Sequence, residues 1–95
     1  MFNIHSTDIE FSPSLERFIY RQYEQISKNK IINNASALDI SIIKDKFKYK
    51  VTLKLSLASS CYYFTELSSS LKLSIADVFD ELSTTLNLSS TRQPA

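Results

Sequence analysis

Hydrophobic and polar positions follow two rhythms along this chain. At "FNIHS", residues 2–6, Phe2 and Ile4 alternate with Asn3 and His5, the period-two pattern of a short strand. The rhythm then lengthens: Leu15, Phe18, Ile19, Tyr23 and Ile26 recur every three or four residues and draw one apolar stripe. Ser12 before Pro13 reads as an N-cap followed by proline at the first helical position, where its missing N–H costs nothing. The pattern predicts a helix over residues 13–28.

The polar, asparagine-rich "KNKIINNAS" at 28–36 reads as a connection. Beyond it Leu38, Ile40 and Ile42 alternate with Asp39 and Ser41 in a second strand, and "KDK" at 44–46 supplies turn chemistry. Tyr49, Val51, Leu53 and Leu55 then alternate with Lys48, Lys50, Thr52 and Lys54 in a third strand. After a turn at "LASS", 57–60, the aromatic run "CYYFTEL" at 61–67 suits a fourth strand, and the pattern leaves its inward face open. "SSS" at 68–70 offers an N-cap to a second helix, whose stripe is Leu71, Ile75, Val78, Phe79, Leu82 and Leu86 and which reaches residue 88.

The predicted order is β-α-β-β-β-α, an α+β fold. Two amphipathic helices have one stripe each to bury, and a four-stranded sheet can take both on one face, leaving the other in water. Strands two to four are expected as an antiparallel meander, with the first helix as a right-handed crossover. Residues 1–89 form the single expected domain and 90–95 a frayed tail. The arrangement resembles double-stranded-RNA-binding modules.

A chain of 95 residues, 43% hydrophobic, has material for one modest core. The absence of glycine removes the P-loop and the dinucleotide fingerprint and leaves the turns to Asn, Asp and Ser. No apolar run is long enough to span a bilayer, and "MFNIHSTDIEFS" lacks the basic start and apolar stretch of a secretory signal. A cytoplasmic protein is the expectation, and the lone Cys61, unable to form an internal disulfide, agrees with it.

Catalytic chemistry finds little to work with. His5 and Cys61 are the only histidine and thiol, and a nucleophilic pair would need the fold to bring them together with a third, orienting group. The simpler expectation is a surface His5 and a Cys61 packed as a small apolar residue. No set of ligands has metal-site spacing, and Asp77, Asp80 and Glu81, expected opposite the apolar stripe, read as solvated charge. No enzyme, cofactor, metal or small-molecule substrate is expected.

The net charge of +1 is close to neutral, but its distribution is not. Residues 35–65 hold five basic side chains against two acidic ones. On one extended strand Lys46, Lys48, Lys50 and Lys54 would project to one side, with Thr52 between the last two, at face positions roughly 7 Å apart, close to the separation of phosphates along a nucleic-acid strand. Phe47, Tyr49, Val51, Leu53 and Leu55 would point to the helices. Such a row favours RNA through counterion release, and it equally keeps an exposed strand soluble.

With these elements in order, the sequence resembles the short ribosome hibernation-promoting factors and their relative, the ribosome-associated inhibitor A. The similar stretches are "FNIHSTDIEFSPSLERFIYRQYEQI" at 2–26, "DISIIKDKFKYKVTLKL" at 39–55 and "SLKLSIADVFDELSTTL" at 70–86, nearly the whole chain. The resemblance implies a monomeric, non-catalytic protein that binds the decoding region of the small ribosomal subunit through ribosomal RNA. There it would block the messenger and transfer RNA sites in starvation or stationary phase. It also implies a short member, without the further C-terminal domain by which long members pair ribosomes. The basic residues that would meet RNA are Lys44, Lys46, Lys48, Lys50, Lys54, Arg17, Arg21, Lys28 and Arg92. Where the family carries basic helices, this chain has Gln22, Gln25, Glu81, Thr84 and Thr85, so the lysine-bearing strands are its main concentration of positive charge. The competing reading is a protein-interaction module of the same fold that has lost RNA binding, with Tyr62, Tyr63 and Phe64 on its partner surface.

Overall fold

The computed structural model describes residues 2–91, with side chains described as far as Leu86. The elements are β1 (Phe2–Thr7), α1 (Pro13–Ile26), a single turn α2 (Lys30–Asn33), β2 (Ala37–Asp45), β3 (Lys48–Ser56), β4 (Cys61–Ser68) and α3 (Leu71–Thr91). The strands form one mixed sheet in the order β1-β2-β3-β4. β1 runs parallel to β2, which the intervening α1 requires, while β2, β3 and β4 are the antiparallel meander.

The helices start where the sequence sets their caps. Ser12 Oγ accepts a hydrogen bond from the Leu15 amide at 3.1 Å, and Ser70 Oγ accepts one from the Leu73 amide at 3.3 Å. The turn α2 lies inside the expected connection. Asn29 Oδ1 caps it by accepting from the Ile31 amide at 2.8 Å, and Ile32 is drawn into the core.

Both helical stripes pack on one face of the sheet. Leu38, Ile40, Ile42, Val51, Leu53 and Leu55 meet Leu15, Ile19 and Ile26 of α1 and Ile75, Val78, Phe79, Leu82 and Leu86 of α3 in one buried cluster. Each such side chain contributes roughly 1.5–3 kcal/mol by leaving water. Phe2 ties β1 to the helices, stacking on Tyr23 with centroids 4.4 Å apart and meeting the Phe79 ring edge-on at 6.3 Å.

Two local expectations are corrected. The turn expected at Lys44–Lys46 lies later, at Lys46–Phe47, because β2 continues to Asp45 in register with Lys48. Lys46 therefore belongs to the hairpin loop, at φ 57°, and Phe47, expected to face the helices, is 90% exposed at the tip. Cys61, expected to pack, is exposed at the start of β4, an edge strand. α3 is described to Thr91, two residues past the expected domain end at 89, while Arg92 lies outside the described residues.

Candidate nucleic-acid interface

Strand pairing decides which face each side chain takes, since neighbours in register share a face and successive residues alternate. Leu53, buried against the helices, pairs with Ile40 and Phe64. The open face therefore carries Asn3, His5 and Thr7 of β1 and Ala37, Asp39, Ser41, Ile43 and Asp45 of β2. From β3 it carries Lys48, Lys50, Thr52, Lys54 and Ser56, and from β4 Cys61, Tyr63, Thr65 and Leu67.

The charge on this face is segregated. Both of its carboxylates belong to β2, and the β3–β4 half has three lysines and no acid. Asp39 is turned towards β1: its Oδ1 accepts from Asn3 Nδ2 at 2.8 Å and lies 3.6 Å from His5 Nε2. Lys54, in register with Asp39, leans the other way, its Nζ 5.7 Å from the centroid of the Tyr63 ring. Between the lysines, Thr52 and Thr65 hydroxyls approach to 3.3 Å. At the hairpin end Asp45, Lys46, Phe47, Lys48 and Leu67 line a shallow depression of about 220 Å³.

The nine basic residues named from the sequence do not form one surface. Lys48, Lys50 and Lys54 share the open face, and Lys46 stands beside them in the loop. Lys44, in register with Tyr49, has the parity of the buried Ile42 and projects to the helical side. Arg17 and Arg21 are exposed in the helical layer, interleaved with Glu16 and Glu24 around a depression of about 400 Å³, and Lys28 follows the end of α1. Those residues are separated from the comb by the sheet.

The groove between α1 and α3 is neutral to acidic. Gln22 and Gln25 of α1 face Asp77 and Asp80 of α3 across a groove of about 510 Å³. Of the three acids expected to be solvated, Asp80 is exposed, whereas Asp77 and Glu81 are half-buried. Glu66, on the helical face of β4, shares a hydrogen bond with Glu81 that needs a proton between the two carboxyls. With partial burial and repulsion from Glu66, Asp77 and Asp80, this pushes the Glu81 pKa from 4.5 up to about 7. That pairing had no signal in the sequence, because its partners are fifteen residues apart on different elements.

His5 and Cys61 lie on β1 and β4, the two opposite edges of the sheet, with two strands between them, so they make no catalytic pair. Among the described residues no group of His, Cys, Asp and Glu is placed to hold a metal ion, and no helix is long and apolar enough to cross a membrane. Tyr62, Tyr63 and Phe64, grouped by the sequence, are divided by the pleat: Tyr63 is on the open face, while Tyr62 and Phe64 are on the helical side.

No family model matches this sequence, and no curated protein does. Solved structures do. A ribosomal subunit interface protein from Coxiella burnetii superposes with a TM-score of 0.81 at 17% identity, over 97% of this chain and 100% of that one. The N-terminal domain of Protein Y from Thermus thermophilus superposes with a TM-score of 0.74 at 10% identity, over 88% of this chain and 91% of that one. At such identities the likeness is one of fold: the four-stranded sheet with its helices on one face is the fold of a ribosomal subunit interface protein.

Proposed function

We propose that this protein is a ribosome hibernation factor: it binds the small subunit at the decoding region, contacts ribosomal RNA, and keeps messenger and transfer RNA off the sites it covers. The observation that carries this reading is the match in fold, over 97% of the chain, to a ribosomal subunit interface protein. The sequence resemblance to the short hibernation factors points the same way.

The mechanism is occlusion. Lysine ammonium groups take the place of counterions on RNA phosphates, and the released ions favour binding. A rigid domain so held excludes other ligands by volume, with no bond made or broken. The protein acts as a cytoplasmic monomer, and Lys48, Lys50 and Lys54 supply its RNA contact while the acidic groove between α1 and α3 faces away.

Co-sedimentation with purified small subunits tests the reading. The native protein should travel with them at low salt and be released as salt rises, and the variant with Lys48, Lys50 and Lys54 changed to Ala should be released at lower salt. A protein that stays at the top of the gradient at every salt concentration refutes the proposal.

A further inference from the structure

Phosphate contact accounts for the lysines of the open face but not for the aromatic and apolar side chains among them. Tyr63 is 63% exposed, Leu67 53% and Phe47 90%. Leu67 is in register with Lys50, and Tyr63 with Lys54, whose ammonium sits over the Tyr63 ring. Exposed rings interleaved with cations on an acid-free half-sheet suit a ligand that offers flat apolar surfaces and negative charge together.

We infer that the β3–β4 half of the open face is a platform for single-stranded RNA, with an unpaired base stacked on Tyr63 and the adjoining phosphates held by Lys54 and Lys50. The inference rests on the ribosomal reading above and names which part of the RNA this face takes. A duplex keeps its base faces stacked inside and offers this surface phosphates, 2′-hydroxyls and base edges, which would leave Tyr63 and Leu67 against polar groups. An unpaired strand offers both, and stacking tolerates any base because each has a π-face.

The dimensions agree. Lys48 to Lys54 spans six residues, roughly 20 Å of strand, which accommodates about three nucleotides if one phosphate meets one lysine. Asp45 lies across from Lys48 and Asp39 across from Lys54, but Asp39 is engaged by Asn3 and His5 on β1 while the Lys54 ammonium sits at the Tyr63 ring. An anionic partner protein would meet the same lysines, but a line of cations along one extended strand beside an exposed ring matches an extended polyanionic backbone better than a folded surface.

Fluorescence anisotropy with a labelled oligouridylate octamer, against a duplex RNA of equal length, tests this alongside small-subunit co-sedimentation. The octamer should bind more tightly than the duplex. Tyr63→Ala should weaken octamer binding roughly tenfold, Tyr63→Phe should retain it, and neither should alter duplex binding. Tyr63 is exposed, so both variants should unfold at the native temperature, and circular dichroism checks this. Equal binding of octamer and duplex, or indifference of the octamer to Tyr63→Ala, overturns the platform while small-subunit binding keeps the ribosomal reading intact. Loss of small-subunit binding with octamer binding preserved refutes the ribosomal reading and supports the platform.

Discussion

Replacing Glu81 with Gln should make this domain more stable at neutral pH. Glu81 of α3 shares a hydrogen bond with Glu66 of β4, and its pKa stands at about 7 against an ordinary 4.5. Between those two values the folded protein holds a proton that the unfolded chain releases, so the folded state binds more protons and its stability falls as pH rises. The proton-dependent stability is fully present below pH 4.5 and is lost as pH passes through 7. A shift of that size would amount to about 3 kcal/mol for an isolated buried group. At this half-buried position, screened by solvent and shared with Glu66, about 1 kcal/mol is the realistic share. A glutamine at 81 donates the same hydrogen bond without a titrating proton. Thermal unfolding followed by circular dichroism at pH 5 and pH 8 is the assay. About 1 kcal/mol corresponds to a Tm change of some 4–8 °C in a domain this size. E81Q should raise Tm by that amount at pH 8 and by little at pH 5, flattening the native pH dependence. A Tm at pH 8 equal to or below that of the native protein would show that the two carboxyls do not share a proton.

Other perturbations read other parts of the fold. Lys46 holds φ at 57° in the first position of a two-residue hairpin loop, a place that glycine fills without strain, so Lys46→Gly should stabilise the domain by about 0.5–1 kcal/mol in urea titration. Ser70→Ala removes the acceptor for the Leu73 amide and should cost about 1 kcal/mol by the same titration, as loss of an N-cap does. For the Lys48, Lys50 and Lys54 triple Ala variant, the slope of log K against log salt for an unpaired RNA should become shallower by about 2, since each phosphate contact on a single strand adds roughly 0.7.

Regular periodicity made most of the fold legible. The stripes of α1 and α3 and the alternation of β2 and β3 name the core, because each element buries only one side. The hairpin lies later than its expected place because alternation does not stop at a turn. "KDKFKYK" keeps its period through Lys46 and Phe47, and without glycine nothing marked the residue at positive φ. The fourth strand gave no facing because it breaks the rule locally: Leu67 is on the open side and Glu66 on the helical side. An edge strand tolerates that exchange, and the cost of turning Glu66 towards α3 is lowered by the proton shared with Glu81.

The candidate interface was half legible. Parity in "KYKVTLK" placed Lys48, Lys50 and Lys54 on one side correctly, and it is also what sends Lys44 to the other. The separation of charge on the open face was beyond the sequence, since it depends on which strand neighbours which. Asp39 matters less to the comb than its in-register position suggests because Asn3 and His5, thirty-six and thirty-four residues earlier in the chain, draw it towards β1. Tyr63 gained its place beside Lys54 only through the β3–β4 register.

Lysine footprinting on the ribosome tests the central claim most directly. The protein, free and bound to small subunits, is acetylated briefly, and each lysine's reactivity is read by mass spectrometry. Lys48, Lys50 and Lys54 on the open face should become protected on binding, while Lys30 at α2 and Lys72 on α3 keep their reactivity. Protection of Lys30 and Lys72 with the comb left reactive would contradict the account, placing the ribosome on the helical side of the molecule.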